Sequence, residues 1–282
     1  MNSISDLFCE GDLYVKISKV LGQLLLNKNI NIEFFYNEFI SQYNELKSES
    51  DNFSCIEIED IVGYGNLFKN NYFENLGIDL PIYFGDIKNK DRIMIVAMDP
   101  KRSNQYNGKV SLSSVFALHR NEARNTKKND YWNFIEPLKK ENFVYLTDIY
   151  KLYYEKTLVI NGKQTKILSN KDPEYISIHC DSFKTNQKIL KEEIKLINPN
   201  TIISLGNDSA NALKKISGIN SSELDLFHNG IRYIFMPHIS RTVTQNILTI
   251  GNLFITLGKL KNNTNWIEIG EQIKIEKTKL FV

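Results

Sequence analysis

The chain has 282 residues, of which 42% are hydrophobic and 24% charged, and its 35 lysines and arginines exceed its 33 aspartates and glutamates by only two. This composition indicates a globular protein with a sizeable core and argues against a basic protein that coats nucleic acid through charge alone. No apolar run approaches the ~18 residues of a membrane span, and the first residues lack the features of a secretory signal, which predicts a cytoplasmic protein without a membrane partner.

Two amphipathic helices are predicted near the start of the chain. Apolar residues fall on one helical face between Leu13 and Leu24, and again between Ile32 and Tyr43. Polar and glycine-containing stretches follow, which are typical of loops. Residues 1–80 are therefore interpreted as a helical N-terminal extension, and residues 81–282 as a separate α/β domain.

Four short apolar runs follow, each typical of a strand that is buried on both faces. They span residues 93–98, 143–147, 201–205 and 231–236, and helical patterns cover residues 183–197, 207–216 and 243–260. This alternation predicts an α/β fold with a central, mostly parallel four-stranded sheet and helices on both sides. A tight hairpin is predicted at Asn161-Gly162.

Polar residues stand where each of the four runs ends. These residues are Asp99, Thr147 and Asp148, Gly206 to Ser209, and His238 to Arg241. Taken singly, each has an ordinary structural explanation as a turn former, a helix cap or a satisfied core residue. Ligands of parallel α/β sheets bind beyond the carboxyl ends of the strands, so together these residues predict one cleft.

The motifs at these strand ends resemble those of the uracil-DNA glycosylase superfamily in order and spacing. The matching segments are Met98-Asp99-Pro100, residues 145–151, residues 180–206 and residues 236–241, and the resemblance covers roughly residues 90–260. It implies a three-layer α/β/α domain, in agreement with the fold predicted from the apolar runs.

The resemblance also implies roles for individual residues. Asp99 matches the carboxylate that activates water or stabilises the sugar cation, and His238 matches the histidine that donates a hydrogen bond to O2 of the departing base. Asp148 takes the position that reads the base edge. The further residues assigned to the base pocket are Met98, Ser240 and either Ser113 or Phe116. The residues assigned to DNA contacts are Lys101, Arg102, Ser103, Gly206, Asn207, Arg241 and Thr242.

Several departures from the family pattern bear on the substrate. Asp148 replaces an asparagine, and an ionised carboxylate only accepts hydrogen bonds, which favours the amino group of cytosine over O4 of uracil. A protonated Asp148 would pair with either edge. Lys101 and Ser113 stand where bulky aromatic residues block or stack on the base, although a shifted alignment returns the stacking role to Phe116. Ile239 replaces a proline. A roomier pocket is predicted.

The sequence therefore predicts an enzyme, a DNA glycosylase that flips out and excises a C5-modified cytosine, hydroxymethylated or glucosylated as in phage DNA, with an antiviral role. Two alternatives remain, which are a uracil-DNA glycosylase of DNA repair and a non-catalytic DNA-binding module of the same fold. We expect a monomer that binds double-stranded DNA without a cofactor or metal. The three cysteines, Cys9, Cys55 and Cys180, are too few for the four-cysteine cluster of some branches.

Overall fold

The computed structural model describes residues 13–44, 54–63, 73–98, 108–125, 130–173, 181–239 and 244–278, which form an α/β fold with two mixed sheets. The described helices are α1 (Leu13–Leu24), α2 (Ile32–Asn44), α3 (Asn121–Asn125), α4 (Asp130–Glu141), α5 (Asp181–Ile197), α6 (Asn207–Ser217), α7 (Thr244–Leu260) and α8 (Thr264–Thr278). The strands are β1 (Ser54–Ile56), β2 (Phe73–Leu80), β3 (Ile82–Phe84), β4 (Arg92–Ala97), β5 (Val110–Ser114), β6 (Phe143–Asp148), β7 (Leu152–Ile160), β8 (Lys163–Leu168), β9 (Thr201–Leu205), β10 (Asp225–His228) and β11 (Ile231–Met236).

The larger sheet contains all four predicted strands at its centre. Its order is β10-β11-β9-β4-β6-β3, and the four strands from β11 to β6 run parallel. Their continuous apolar runs are buried on both faces, as expected for parallel strands. The prediction of a four-stranded sheet is wrong in extent, because β3 and β10 add an antiparallel strand at each edge.

The order of the parallel strands creates a crevice at their carboxyl ends. The chain passes from β4 to β6 on one side of β4, and then returns to β9 on its other side before continuing to β11. Connections therefore leave β4 and β9 in opposite directions, which is the arrangement that opens a ligand crevice in α/β sheets. The carboxyl ends of β4 and β9 carry residues Met98 and Gly206.

A second, five-stranded sheet was not predicted. Its order is β1-β5-β2-β7-β8, and β2 pairs with β5 in parallel and with β7 in antiparallel orientation. Because β1 and β2 precede residue 81, the interpretation of residues 1–80 as a purely helical extension is corrected. The sequence of β2, FENLGIDL, lacks regular alternation, since polar Glu74 and Asn75 stand beside a glycine-containing apolar end.

Several local predictions are confirmed. The apolar faces of α1 and α2 are buried, with Ile17, Leu21 and Phe39 almost inaccessible to solvent. The β7–β8 hairpin turns at Asn161-Gly162, where both residues have positive φ angles of 53° and 74°, as a type I′ turn requires. Within the described part of the chain, no helix is long and apolar enough to cross a membrane.

Candidate active site

The predicted site residues divide into those that the structure describes and those that it does not. Asp99, Lys101, Arg102, Ser103, Ser240, Arg241 and Thr242 lie outside the described residues. Met98, at the end of β4, is partly buried against the core. Its carbonyl accepts a hydrogen bond from the amide of Tyr150 at 3.0 Å, so the ends of β4 and β6 lie side by side.

Asp148 is the last residue of β6 and is buried, with 1% of its surface exposed. It is the register partner of Ala97 on β4, two residues before Asp99. Its carbonyl accepts a hydrogen bond from Nζ of Lys151 at 2.7 Å. The end of β6 thus places the buried carboxylate of Asp148 beside the end of β4, which is the strand that precedes Asp99.

A buried ion pair fastens this end of β6 to helix α5. Nζ of Lys151 lies 2.7 Å from Oε2 of Glu193, and both side chains are inaccessible to solvent. The hydroxyls of Thr147 and Tyr145 donate to the same carboxylate at 3.0 Å and 3.1 Å. Burial and the Glu193 carboxylate raise the pKa of Tyr145 well above its ordinary value, so Tyr145 stays a donor. The four groups fix the backbone that carries Asp148.

His238 follows β11 and packs its inner side on Gly206. A Cβ atom at Gly206 would lie 3.2 Å from Cβ of His238, and Gly206 has a φ of +93°. The Gly206 amide donates to the carbonyl of Met236 at 2.8 Å, which joins the ends of β9 and β11. The outer side of His238 is open to solvent. Burial of the inner side lowers its pKa below 6.5, which favours the neutral ring.

Tyr131, in the first turn of α4, connects the described site residues. Its ring lies parallel to that of Phe116, with 3.8 Å between centroids and 14° between planes. Its edge-to-face contact with His238 has a centroid distance of 6.0 Å and an angle of 84°. Burial, followed by the charges of Asp148 and Asp130, raises the pKa of Tyr131 to about 12. Phe116, Tyr131, Asp148 and His238 therefore form one cluster, here called the edge cluster.

The segment that presents Phe116 has a strained backbone. Phe116 and Ala117 have φ angles of 57° and 55°, in the left-handed region that non-glycine residues rarely adopt. Such strain costs ~1–3 kcal/mol per residue and concentrates at functional sites. Ser113, the alternative stacking position, is buried in β5 as the register partner of Asp79. Of the two residues, Phe116 is the one that contacts Tyr131.

Helix α6 begins directly beyond β9 and points its N-terminus toward this edge. Because the Gly206 amide is bonded to Met236, the amides of Asn207, Asp208 and Ser209 are the ones left without an intrahelical acceptor. The prediction that Gly206 itself offers an amide to a phosphate is corrected accordingly. The first turn also carries Asp208, whose carboxylate lies 3.2 Å from Nζ of Lys171.

Tyr131, Lys151 and Glu193 were missed by the reasoning from sequence. Tyr131 does not stand at the end of a strand, so the pattern that indicated Asp148 and His238 gave no sign of it. Lys151 and Glu193 both lie within segments that carry the family resemblance, but they are 42 residues apart, and Glu193 lies on α5. Only the packing of α5 on the sheet brings these two charges together.

No group of three or more His, Cys, Asp and Glu side chains in the described ranges is arranged to hold an ion. Cys55 is exposed and is not in a disulfide, and Cys9 and Cys180 lie outside the described residues.

A cleft of about 260 Å³ lies at the opposite, amino end of the parallel strands. Three of its polar side chains form structural contacts with one another or with a neighbouring strand. Arg232 forms a bidentate pair with Asp225 at 2.8 Å and 3.2 Å, and Asn200 donates to Asp91 at 2.8 Å. The edge cluster, by contrast, lies at the carboxyl ends, where ligands of this class of sheet bind.

Comparison with protein families finds no family model that matches the chain, and comparison with curated proteins finds no match either.

Proposed function

We propose that the protein is a DNA glycosylase that excises a C5-modified cytosine and leaves an abasic site. The observation that carries the proposal is the edge cluster, in which Asp148, His238 and Phe116 are gathered around Tyr131 beside the crevice of the sheet. These are residues that the motif resemblance assigned to base recognition and catalysis, and they come from separate parts of the chain.

The layout of the helices supports the three-layer arrangement that the resemblance implies. Strand–helix–strand connections in parallel sheets are right-handed, so α4, between β4 and β6, lies on one face. Helices α5 and α6 follow connections in the opposite direction and so lie on the other face. The contacts between helices agree with two separate faces. Helix α8 packs on α4 and α7, whereas α1 packs on α5.

The chemistry of the proposed reaction requires opposite charges at two places. Breaking an N-glycosidic bond develops positive charge on the sugar and negative charge on the leaving base, by analogy with glycoside hydrolysis. In the proposal, Asp99 stabilises the sugar or activates water. A neutral His238 donates a hydrogen bond to O2 of the base, and its lowered pKa favours that neutral form at pH 7.

Recognition of cytosine is proposed to depend on Asp148. Its carboxylate accepts a hydrogen bond from the N4 amino group of cytosine, whereas it repels O4 of uracil when ionised. The neighbouring Tyr131 hydroxyl stays protonated to about pH 12 and therefore remains a donor. Lys101 replaces the ring that excludes C5 substituents in the resembled family, which leaves room for a hydroxymethyl or glucosyl group. An antiviral role in the cytoplasm follows from such substrates in phage DNA.

The proposal is tested with DNA duplexes that carry cytosine, 5-hydroxymethylcytosine, glucosylated hydroxymethylcytosine or uracil at one position. After incubation, alkali cleaves any abasic site, and the products are separated by size. We expect cleavage at a modified cytosine and none at unmodified cytosine. Release of uracil alone would instead establish the alternative, a uracil-DNA glycosylase of repair.

The second alternative, a non-catalytic DNA-binding module, is distinguished with Asp99→Asn and His238→Ala. If the site is catalytic, each variant should lose base release while its affinity for duplex DNA changes little. A wild-type protein that binds duplexes and releases no base from any of them would identify the binding module.

A further inference from the structure

The β7–β8 hairpin projects beyond the sheet that holds it. The first half of β7, from Leu152 to Lys156, pairs with β2 and is buried. Beyond it, within the residues that the structure describes, β7 pairs with β8 alone, through four cross-strand pairs from Thr157↔Lys166 to Ile160↔Lys163. At about 3.4 Å per residue, this projecting part extends about 14 Å from Lys156 to Ile160. We call residues 157–166 the arm.

The two chain segments that lead to the arm both start beside the candidate active site. Strand β7 starts directly after Lys151, whose Nζ is bonded to the carbonyl of Asp148. Beyond β8, Lys171 is paired with Asp208 in the first turn of α6. Both connections of the arm therefore run to the carboxyl edge of the larger sheet, and the tip stands about 27 Å along β7 from Leu152.

The surface of the arm is apolar, with one exposed lysine at its tip. Leu158, Val159 and Ile160 are 37%, 71% and 45% exposed, an unusual concentration of large apolar side chains on three consecutive residues. The arm itself contains two lysines and no acidic residue. Lys166 bridges Glu74 and Glu155, so the exposed cation at the far end of the arm is Lys163. Lys163, directly opposite Ile160, is exposed at the tip.

We propose that the arm is a DNA-binding element that lies in a groove of the duplex beside the flipped nucleotide. This inference rests on the proposed function and adds a second contact to it. A two-stranded ribbon fits the major groove, where apolar side chains contact thymine methyl groups. Lys163 pairs with a phosphate of the same groove. The arm thereby extends the footprint of a protein whose total charge is nearly balanced.

A second copy of the chain is the less favoured occupant of this surface. Dimers that pair through a sheet edge would use β8, which is the edge strand of its sheet. Lys163 and Lys166 lie on that edge strand, and lysines at an edge oppose pairing with another strand. Lys166 also bridges Glu74 and Glu155 at 3.0 Å and 3.1 Å, which braces the arm on the sheet.

The arm can be shortened without changing its turn. Removal of residues 158–160 and 163–165 joins Thr157 to Asn161 and Gly162 to Lys166. Thr157 and Lys166 are already register partners, so the same Asn-Gly pair closes a two-residue hairpin. The buried half of β7 and both acidic partners of Lys166 remain. An unchanged melting temperature and circular dichroism spectrum would show that the fold is intact.

The measurement is binding to an unmodified 20-base-pair duplex by fluorescence anisotropy at several salt concentrations. We expect the shortened arm to raise Kd at least tenfold and Lys163→Glu to raise Kd and lower the salt dependence. Lys259→Glu, the same charge change on an exposed lysine of α7 at the far end of the sheet, should change neither. For the protein with the shortened arm, kcat measured at a saturating concentration of a modified duplex should stay within about twofold of the wild-type value.

Two results would overturn the proposal. One is a shortened protein that binds the duplex as tightly as wild type, and the other is a wild-type dimer that becomes monomeric when the arm is shortened. Because binding to unmodified DNA requires no base release, the arm is tested separately from catalysis. A wild-type protein that binds duplexes but releases no base overturns the proposed function alone, and one that does not bind DNA overturns both.

Discussion

The ring of Tyr131 stacks on the ring of Phe116, with 3.8 Å between centroids, and makes an edge-to-face contact with the ring of His238. The pair joins helix α4 to the strained segment after β5, and it adjoins the carboxyl edge of the larger sheet. Neither residue is close to the other in sequence. A rigid pair of stacked aromatic rings in this position is well suited to form one wall of a base pocket.

Tyr131→Ala should therefore weaken recognition of the flipped base. Stacking of a base on an aromatic ring contributes ~1–3 kcal/mol, so kcat/KM should fall about 5- to 150-fold. Tyr131→Phe keeps the ring and should retain most of this activity. The measurement is single-turnover base release on the preferred duplex. Equal or greater activity of Tyr131→Ala would show that the ring is not part of the pocket.

Gly206→Ala should disturb His238 through a direct contact. The new Cβ would lie 3.2 Å from Cβ of His238, and the backbone φ of +93° disfavours any side chain. A displacement on the order of 1 Å costs up to about 100-fold in rate. Gly218→Ala is a matched control, because its φ is +71° but nothing lies within 4 Å of the added Cβ. Similar losses of base release in both variants would contradict the positioning of His238 by Gly206.

Asp148→Asn should change which base is excised. The amide supplies both a donor and an acceptor, so release of uracil should rise relative to release of the cytosine-type base. We expect the ratio of the two kcat/KM values to shift toward uracil by at least tenfold. The comparison uses matched duplexes that differ at one base. A variant that loses both activities equally would exclude Asp148 as the residue that distinguishes the bases.

Lys151→Met should strongly destabilise the protein. It leaves the buried Glu193 carboxylate without its cation, which costs ~3–5 kcal/mol in the free energy of unfolding. The double variant Lys151→Met/Glu193→Leu removes both charges and should recover much of that loss. Urea unfolding followed by circular dichroism measures the three proteins. A double variant less stable than Lys151→Met would contradict this account.

His238 should make stability depend on pH in a defined window. Its pKa is lowered in the folded protein, so the unfolded chain binds the proton more readily as pH falls below about 6.5. The free energy of unfolding should therefore decrease as pH falls toward the lowered pKa, and His238→Asn should reduce this decrease. Tyr131, which faces His238, stays neutral throughout this range, since its pKa is about 12. Identical pH dependence in wild type and His238→Asn would exclude the effect.

Much of the larger sheet was predictable because its strands are buried on both faces. Continuous apolar runs such as residues 93–98 mark a parallel strand without reference to its neighbours. The helices α1 and α2 and the turn at Asn161-Gly162 were predictable for a similar reason, since each depends on local periodicity or local backbone preference. Edge strands β3 and β10 are short and have no such signal.

The sequence by itself determined the strands of the central sheet, the polar residues at their ends and the turn of the arm, because these depend on local burial and backbone preference. Only the tertiary structure decided which side chains meet. Strand order set β4 between β6 and β9, helix packing brought Glu193 to Lys151, and the start of α4 placed Tyr131 between Phe116 and His238. Contacts between distant segments arise from packing and leave no local pattern by which to predict them.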